Sequence, residues 1–186
     1  MVLMDLWLPI LLSAVFVFVV SSIIHMALPY HKNDVAKLPN EDKVLEALRA
    51  QGVGPGEYMF PKCESMKDMA KPEVIEKLER GPVGMLTVLP SGPMNIGKNL
   101  VQWFLFSIFV GACAGYVGTI SLPRGAEYED VFRLVGTAAI LAYAVGNIQN
   151  SIWKGQSWST TIKFVIDGVL YGLVTGGTFG WLWPHV

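Results

Sequence analysis

The sequence predicts an all-α membrane protein: four transmembrane helices in a compact bundle, with a small α+β loop domain between the first and second. Three observations carry this. The chain of 186 residues is 52% hydrophobic but only 16% charged, and its mean hydropathy of +0.44 is too high for an ordinary soluble domain. Its apolar residues are bunched into four runs of about 20 residues or more, each long enough to cross a hydrocarbon core of roughly 30 Å. Between the first two runs lies a polar stretch too long to be a bare connection. Backbone amides in lipid must bond within their own segment, so the runs are helices.

The first run, residues 6–28, contains no Lys, Arg, Asp or Glu. It reads as a retained span, not a cleaved leader, because MVLMD before it carries no positive charge. The second run covers 100–122 and the third 134–153; the fourth, 160–183, carries Lys163 and Asp167. Tryptophans cluster near the span ends, with Trp7, Trp181 and Trp183 toward one face and Trp103, Trp153 and Trp158 toward the other. All six are expected to be interfacial anchors.

Residues 29–99 form the loop domain. Its Asn40 is placed to cap a helix that Gly52 ends, and Pro72 and Gly81 bracket a second. EYMF and MLTVL read as extended segments. Near the helix ends, Lys32, Lys37, Lys43, Arg80, Lys98, Lys154 and Lys163 lie on the loop side, against Arg124 and Arg133 on the other. The positive-inside rule therefore places the loop in the cytoplasm and both termini outside. The net charge of −1 gives no reason to expect nucleic acid as a partner.

In DGVLYGLVTGGTFGWLWP, glycines recur at Gly168, Gly172, Gly176 and Gly180. They advance about 40° per step and trace a slanting groove in which another backbone can lie close. Gly111 and Gly115 offer a matching surface on the second helix, and Ala138, Ala142 and Gly146 on the third. The expected role is helix packing within the bundle, with a homo-oligomer seam or a pore lining as the other uses.

One step ahead of the glycines run Lys163, Asp167, Tyr171 and Thr175. A carboxylate within a span costs about 2.5–3.5 kcal/mol on insertion scales and so faces protein or water. Asn147, Gln149 and Asn150 end the third span, Gln102 begins the second and His25 ends the first, all in the loop-side half of the membrane. A polar vestibule open to the cytoplasm follows, built from Asp167, Lys163, Asn147, Asn150, Gln102 and His25. Simple interhelical hydrogen bonding is the plainer account of the same residues.

No catalytic motif is present: GxSxG, HExxH and the Walker loop are all missing. A metal set from His25, His31, Asp34 and Cys63 has no standard zinc spacing and is set aside. Two facing histidines for a haem are not expected either. No cofactor is expected.

HKND at 31–34, LPNED at 38–42 and the ending GTFGWLWP resemble bacterial four-helix integral membrane proteins with no assigned activity. That resemblance implies a bacterial plasma membrane and no catalytic residue. Three functional expectations result, of which an intramembrane enzyme using His31 or Asp167 as acid/base has the least support, because no nucleophile, metal set or phosphate loop accompanies them. One is a non-enzymatic accessory, assembly or structural subunit that docks on a membrane-protein partner, or on its own copies, through the glycine face and the loop. The alternative is a small oligomeric transporter or channel whose polar path runs past Asp167.

Overall fold

The computed structural model describes residues 1–65 and 67–185. Among them are four helices long and apolar enough to cross a membrane: Leu3–Ala27, Ile96–Ser121, Tyr128–Lys154 and Trp158–Trp181. The chain divides into two compact units, one made of residues 1–34 and 95–186 and the other of Val35–Met94.

The first span begins as a 3-10 turn (Leu3–Leu6), becomes α1 (Trp7–Ser22) and widens into a π-helical segment at Ile23–Ala27. Its only side-chain hydroxyls are turned onto the helix's own carbonyls: Ser13 donates to Ile10, and Ser21 and Ser22 both donate to Phe18. In an apolar solvent each of these groups would otherwise be left unsatisfied. Pro29 stops the span. The residue before a proline is pushed to extended backbone, as Leu28 is (φ −94°, ψ 140°), and a 3-10 turn follows at Pro29–His31.

In the loop unit, α2 (Glu41–Ala50) and α3 (Pro72–Arg80) flank β1 (Gly56–Phe60), which pairs antiparallel with β2 (Gly84–Val88) in the register Gly56↔Val88 to Phe60↔Gly84. Gly52 and Gly81 take positive φ after the helices that they end. Asn40 departs from expectation: it sits in the left-handed region, and its side chain makes no cap hydrogen bond. The first turn of α2 uses the Asn40 backbone carbonyl instead, which accepts from Lys43 and Val44.

The second span is α4 (Ile96–Ser121), capped by the Asn95 carboxamide, which accepts from the Lys98 amide at 3.0 Å. The third span is interrupted. Its helix α5 (Tyr128–Tyr143) gives way to a 3-10 turn at Val145–Asn147 before α6 (Ile148–Lys154) resumes. Asn147 donates its side-chain amide to the Tyr143 carbonyl at 2.8 Å, so the break supplies its own donor for a freed acceptor. The fourth span is α7 (Trp158–Trp181), with Ser157 at its N-cap.

Helix α7 lies along α5 at close range. A Cβ added to Gly168 would meet the Ala144 backbone at 2.6 Å, one on Gly176 the Gly136 Cα at 2.8 Å, and one on Gly172 would overlap the Ile140 side chain. On α4, Gly111 faces Ser13 and Ile10 of α1, while Gly115 faces Phe179 and Leu6. The line on α5 is therefore Gly136, Ile140 and Ala144 in place of Ala138, Ala142 and Gly146. Gly146 has no atom within 4 Å of an added Cβ.

The tryptophans also divide. Trp7, Trp153, Trp158 and Trp181 are exposed as anchors should be, but Trp183 is fully buried in the core with Leu6, Val135 and Phe179. Its indole N–H donates to the Pro123 carbonyl at 2.9 Å. Trp103 likewise turns inward and donates to Ser21 at 2.9 Å. A buried indole needs a partner for its N–H, and both have one.

Candidate functional site

The polar residues of the spans converge where the first span ends and α7 begins. Asp167, one turn from Lys163, is 2% exposed. Its Oδ2 lies 2.8 Å from His31 Nε2 and 4.0 Å from His25 Nε2. His31 reaches it because the π-helical segment and the Pro29–His31 turn fold the chain back over the end of the span. The other imidazole nitrogen, Nδ1, lies 2.6 Å from Asp34 Oδ2. Asp34 Oδ1 in turn takes a hydrogen bond from Lys163 Nζ at 2.5 Å, and Lys163 also donates to the Tyr30 carbonyl at 2.9 Å.

The result is a continuous chain Asp167–His31–Asp34–Lys163. An imidazole between two carboxylates makes both contacts favourable only when a positive centre occupies each gap: one N–H toward Asp34, and a proton or another cation toward Asp167. The hydrogen bond from Lys163 holds the Asp34 carboxyl below the usual carboxylate range; partial burial opposes this and the contact with His31 adds to it. Alternation of charge is what allows such groups to sit together away from water.

Aromatic rings fix the imidazoles. His25 and His31 stack at 4.4 Å between ring centroids, and His31 stacks on Phe164 at 5.1 Å. Tyr171, directly below Asp167 on α7, places its hydroxyl 3.3 Å from His25 Nε2. Tyr171 meets Trp103 and Tyr143 edge to face at 5.7 Å, and Trp103 is tilted against Tyr143 at 6.1 Å.

Beside this cluster is a cavity of about 530 Å³ to which all four spans contribute. His25, Asp167, Tyr171, Tyr143 and Asn147 supply its polar groups, while Met26, Leu100, Phe106 and Phe164 supply apolar wall. Phe106, Leu100, Ala142 and Gly146 are exposed at its rim. The exposed lining residues thus run from His25 and Met26 at the end of the first span across the start of α4 to the end of α5 beside the helical break.

Of the residues the sequence singled out, Asp167, Asn147 and His25 line this cavity. Lys163 is adjacent, engaged with Asp34. Gln102 is exposed on α4, and Asn150, part-buried on α6, accepts from the Gln156 amide through its carbonyl; neither lines the cavity. The set-aside metal quartet is recomposed. Among the described residues, His25 and His31 come together with Asp167, Asp34 stands behind His31, and Cys63 belongs to the loop unit. The vestibule set leaves out His31, which the structure places against Asp167. The HKND spacing was the available signal, since a His and an Asp three apart in a tight turn can pair.

No family model, curated protein or solved structure matches the chain.

Proposed function

We propose that this chain is a multi-pass protein of a bacterial plasma membrane, its four spans packed as a compact bundle and its loop unit in the cytoplasm. In this reading it is of transport type: it takes a small amphipathic molecule into the cavity from the cytoplasmic half of the bilayer. The supporting observation is the cavity itself. It is apolar along its wall and rim and polar at one end, where His25, Asp167, Tyr171 and Asn147 converge, the arrangement that a molecule with an apolar body and a hydrogen-bonding head requires. Its rim opens beside a broken helix, a feature tolerated at membrane depth where it lines a cavity. The glycine line of α7 is already occupied by α5 of the same chain, which weakens the idea of a partner docking on that face.

The accessory-subunit reading keeps one observation in its favour. The paired strands of the loop unit leave Tyr58, Met59, Phe60 and Met85 exposed, apolar side chains that another protein could cover.

The test is purification in mild detergent followed by native mass spectrometry. The expected result is one amphipathic molecule retained per chain, lost when Gly146→Phe fills the cavity from a position with open space beyond its Cα. A chain that carries no small molecule, or that retains it equally with Gly146→Phe, overturns the proposal. Co-purification of a stoichiometric protein in its place supports the accessory reading.

A further inference from the structure

We infer that His25, His31 and Asp167 form a binding site for a divalent transition-metal ion. The site goes beyond the cavity reading and does not depend on it.

Three ligand atoms, His25 Nε2, His31 Nε2 and an Asp167 carboxylate oxygen, all lie within 4.8 Å of one another. They come from two spans and from the turn that follows the first. An ion bonded at about 2.0–2.1 Å to each would hold its ligands roughly 3 Å apart. The His31–Asp167 pair, at 2.8 Å, is at that spacing already. His25, at 4.0 Å from Asp167, needs to swing inward by about an ångström to complete the set. Its side chain is 38% exposed, and the swing exchanges the 3.3 Å contact with the Tyr171 hydroxyl for the ion.

The surroundings fit as well as the ligands. A histidine that binds a metal usually donates its other ring N–H to a carboxylate, which fixes the tautomer and the ring plane. His31 does this with Asp34 at 2.6 Å, and Asp34 is itself anchored by Lys163. With Nδ1–H committed to Asp34, the Nε2 lone pair points at the Asp167 carboxylate. Lone pair against carboxylate is repulsive, so either a proton or a metal ion belongs between them, and the nearby His25 nitrogen supplies the further ligand that a metal ion uses and a proton does not. Asp167 is 3% exposed at its side chain, and a buried carboxylate with two imidazoles at hand is a typical donor set for this class of ion. Two nitrogens and one oxygen select a borderline divalent ion such as zinc, ferrous iron or cobalt, over the harder magnesium or calcium. Three protein ligands leave coordination positions open, and the cavity beside His25 and Asp167 is where they face.

The experiment uses the untagged full chain in detergent, stripped with a chelator and titrated with Co²⁺ alone, read by its visible d–d absorbance, then with Zn²⁺ in competition. The expected result is one equivalent of Co²⁺ per chain in a site of low coordination number, displaced by Zn²⁺. His25→Ala, at a side chain that is 38% exposed and checked for an unchanged thermal midpoint, and Asp167→Asn should each weaken binding by about 100-fold or more. Asp34→Asn keeps all three ligands and should weaken it by about 10–100-fold, the range for a carboxylate behind a ligating histidine. Asp34 thus acts as a positioning residue, and its loss should also shift the d–d band. Three results would overturn the inference: no stoichiometric Co²⁺ in the wild-type chain, equal affinity in His25→Ala, or binding that disappears with Cys63→Ser while surviving His25→Ala.

Discussion

His31 Nε2 stands 2.8 Å from the carboxylate of Asp167, 136 positions later in the chain. The contact ties the turn after the first span to the interior of the fourth, and both partners are largely out of water. Removing one member of a buried charged network costs about 3–5 kcal/mol, because the other charge is left uncompensated. Asp167→Ala in chelator-treated protein should therefore lower the thermal midpoint in detergent strongly. Asp167→Asn, which keeps the shape and an acceptor oxygen, should cost clearly less. Equal midpoints for wild type and Asp167→Ala would remove this contact from the forces that hold the two spans together.

Gly172→Ala tests the approach of α7 to α5. The new methyl would overlap Ile140 from both its backbone and side chain, and overpacking of that kind costs about 1–3 kcal/mol. Gly168→Ala and Gly176→Ala meet backbone atoms and should behave alike. Gly177→Ala is the control, since its Cβ meets only the Tyr128 hydroxyl at 3.6 Å; with helix propensity in its favour it should be neutral or stabilising by up to about 1 kcal/mol. A common thermal midpoint for Gly172→Ala and Gly177→Ala would contradict the packing.

The four spans were legible because each is a run of apolar residues at least as long as the hydrocarbon core is thick, a signal that needs no tertiary information. Helix ends in the loop were legible at Pro72, Gly52 and Gly81, where a fixed or a positive φ is decisive. What escaped depended on azimuth and on chain reversal. Composition puts a tryptophan near a helix end but does not say whether it faces outward, as Trp181 does, or the core, as Trp183 does. The small residues of α5 offered two lines of spacing four, and only contact chooses Gly136 and Ala144 over Ala138 and Ala142. His31 lies beyond the apolar run, and nothing in hydropathy shows that a π segment and a 3-10 turn bring it back against Asp167.

The division of the tryptophans has a direct consequence. Trp183→Ala empties a fully buried site and should cost about 3–5 kcal/mol. Trp183→Phe keeps much of the ring volume but strands the Pro123 carbonyl, for about 1 kcal/mol more than a ring swap alone. Trp181→Ala, at a residue that is 67% exposed, should leave the midpoint nearly unchanged. Quenching of single-tryptophan variants by brominated lipid should be strong for Trp181 and weak for Trp183. The reverse order would exchange their roles.

In the loop unit, the Lys71 ammonium beside Asp68 holds its carboxyl below the usual carboxylate range, and the Ser65 hydroxyl contributes to this. A depressed folded-state value means that the interaction is fully present above the ordinary carboxylate range and is lost as pH falls through the lowered value. The pair is exposed, so its weight in stability is small. A carboxyl-detected NMR titration should find Asp68 titrating below the loop's unpaired acids. Lys71→Ala should move it up toward them with no change in thermal midpoint. An Asp68 that titrates like its neighbours in the wild-type chain would show the pair not to form in solution.

The two cysteines are both free, Cys63 in the loop unit and Cys113 within α4. They report on different solvents. A water-soluble, membrane-impermeant maleimide reacts with a thiolate in water, so Cys113, exposed on a span where lipid is the surrounding solvent, should stay unmodified while Cys63 is within reach. In a Cys113→Ala chain, Cys63 should label in inverted vesicles and not in intact right-side-out cells, because seven lysines and arginines flank the helix ends on its side and only two flank the other. Labelling in intact cells alone would reverse the orientation. The cavity rim would then open toward the outer leaflet, and uptake from the cytoplasmic half of the bilayer would no longer be possible.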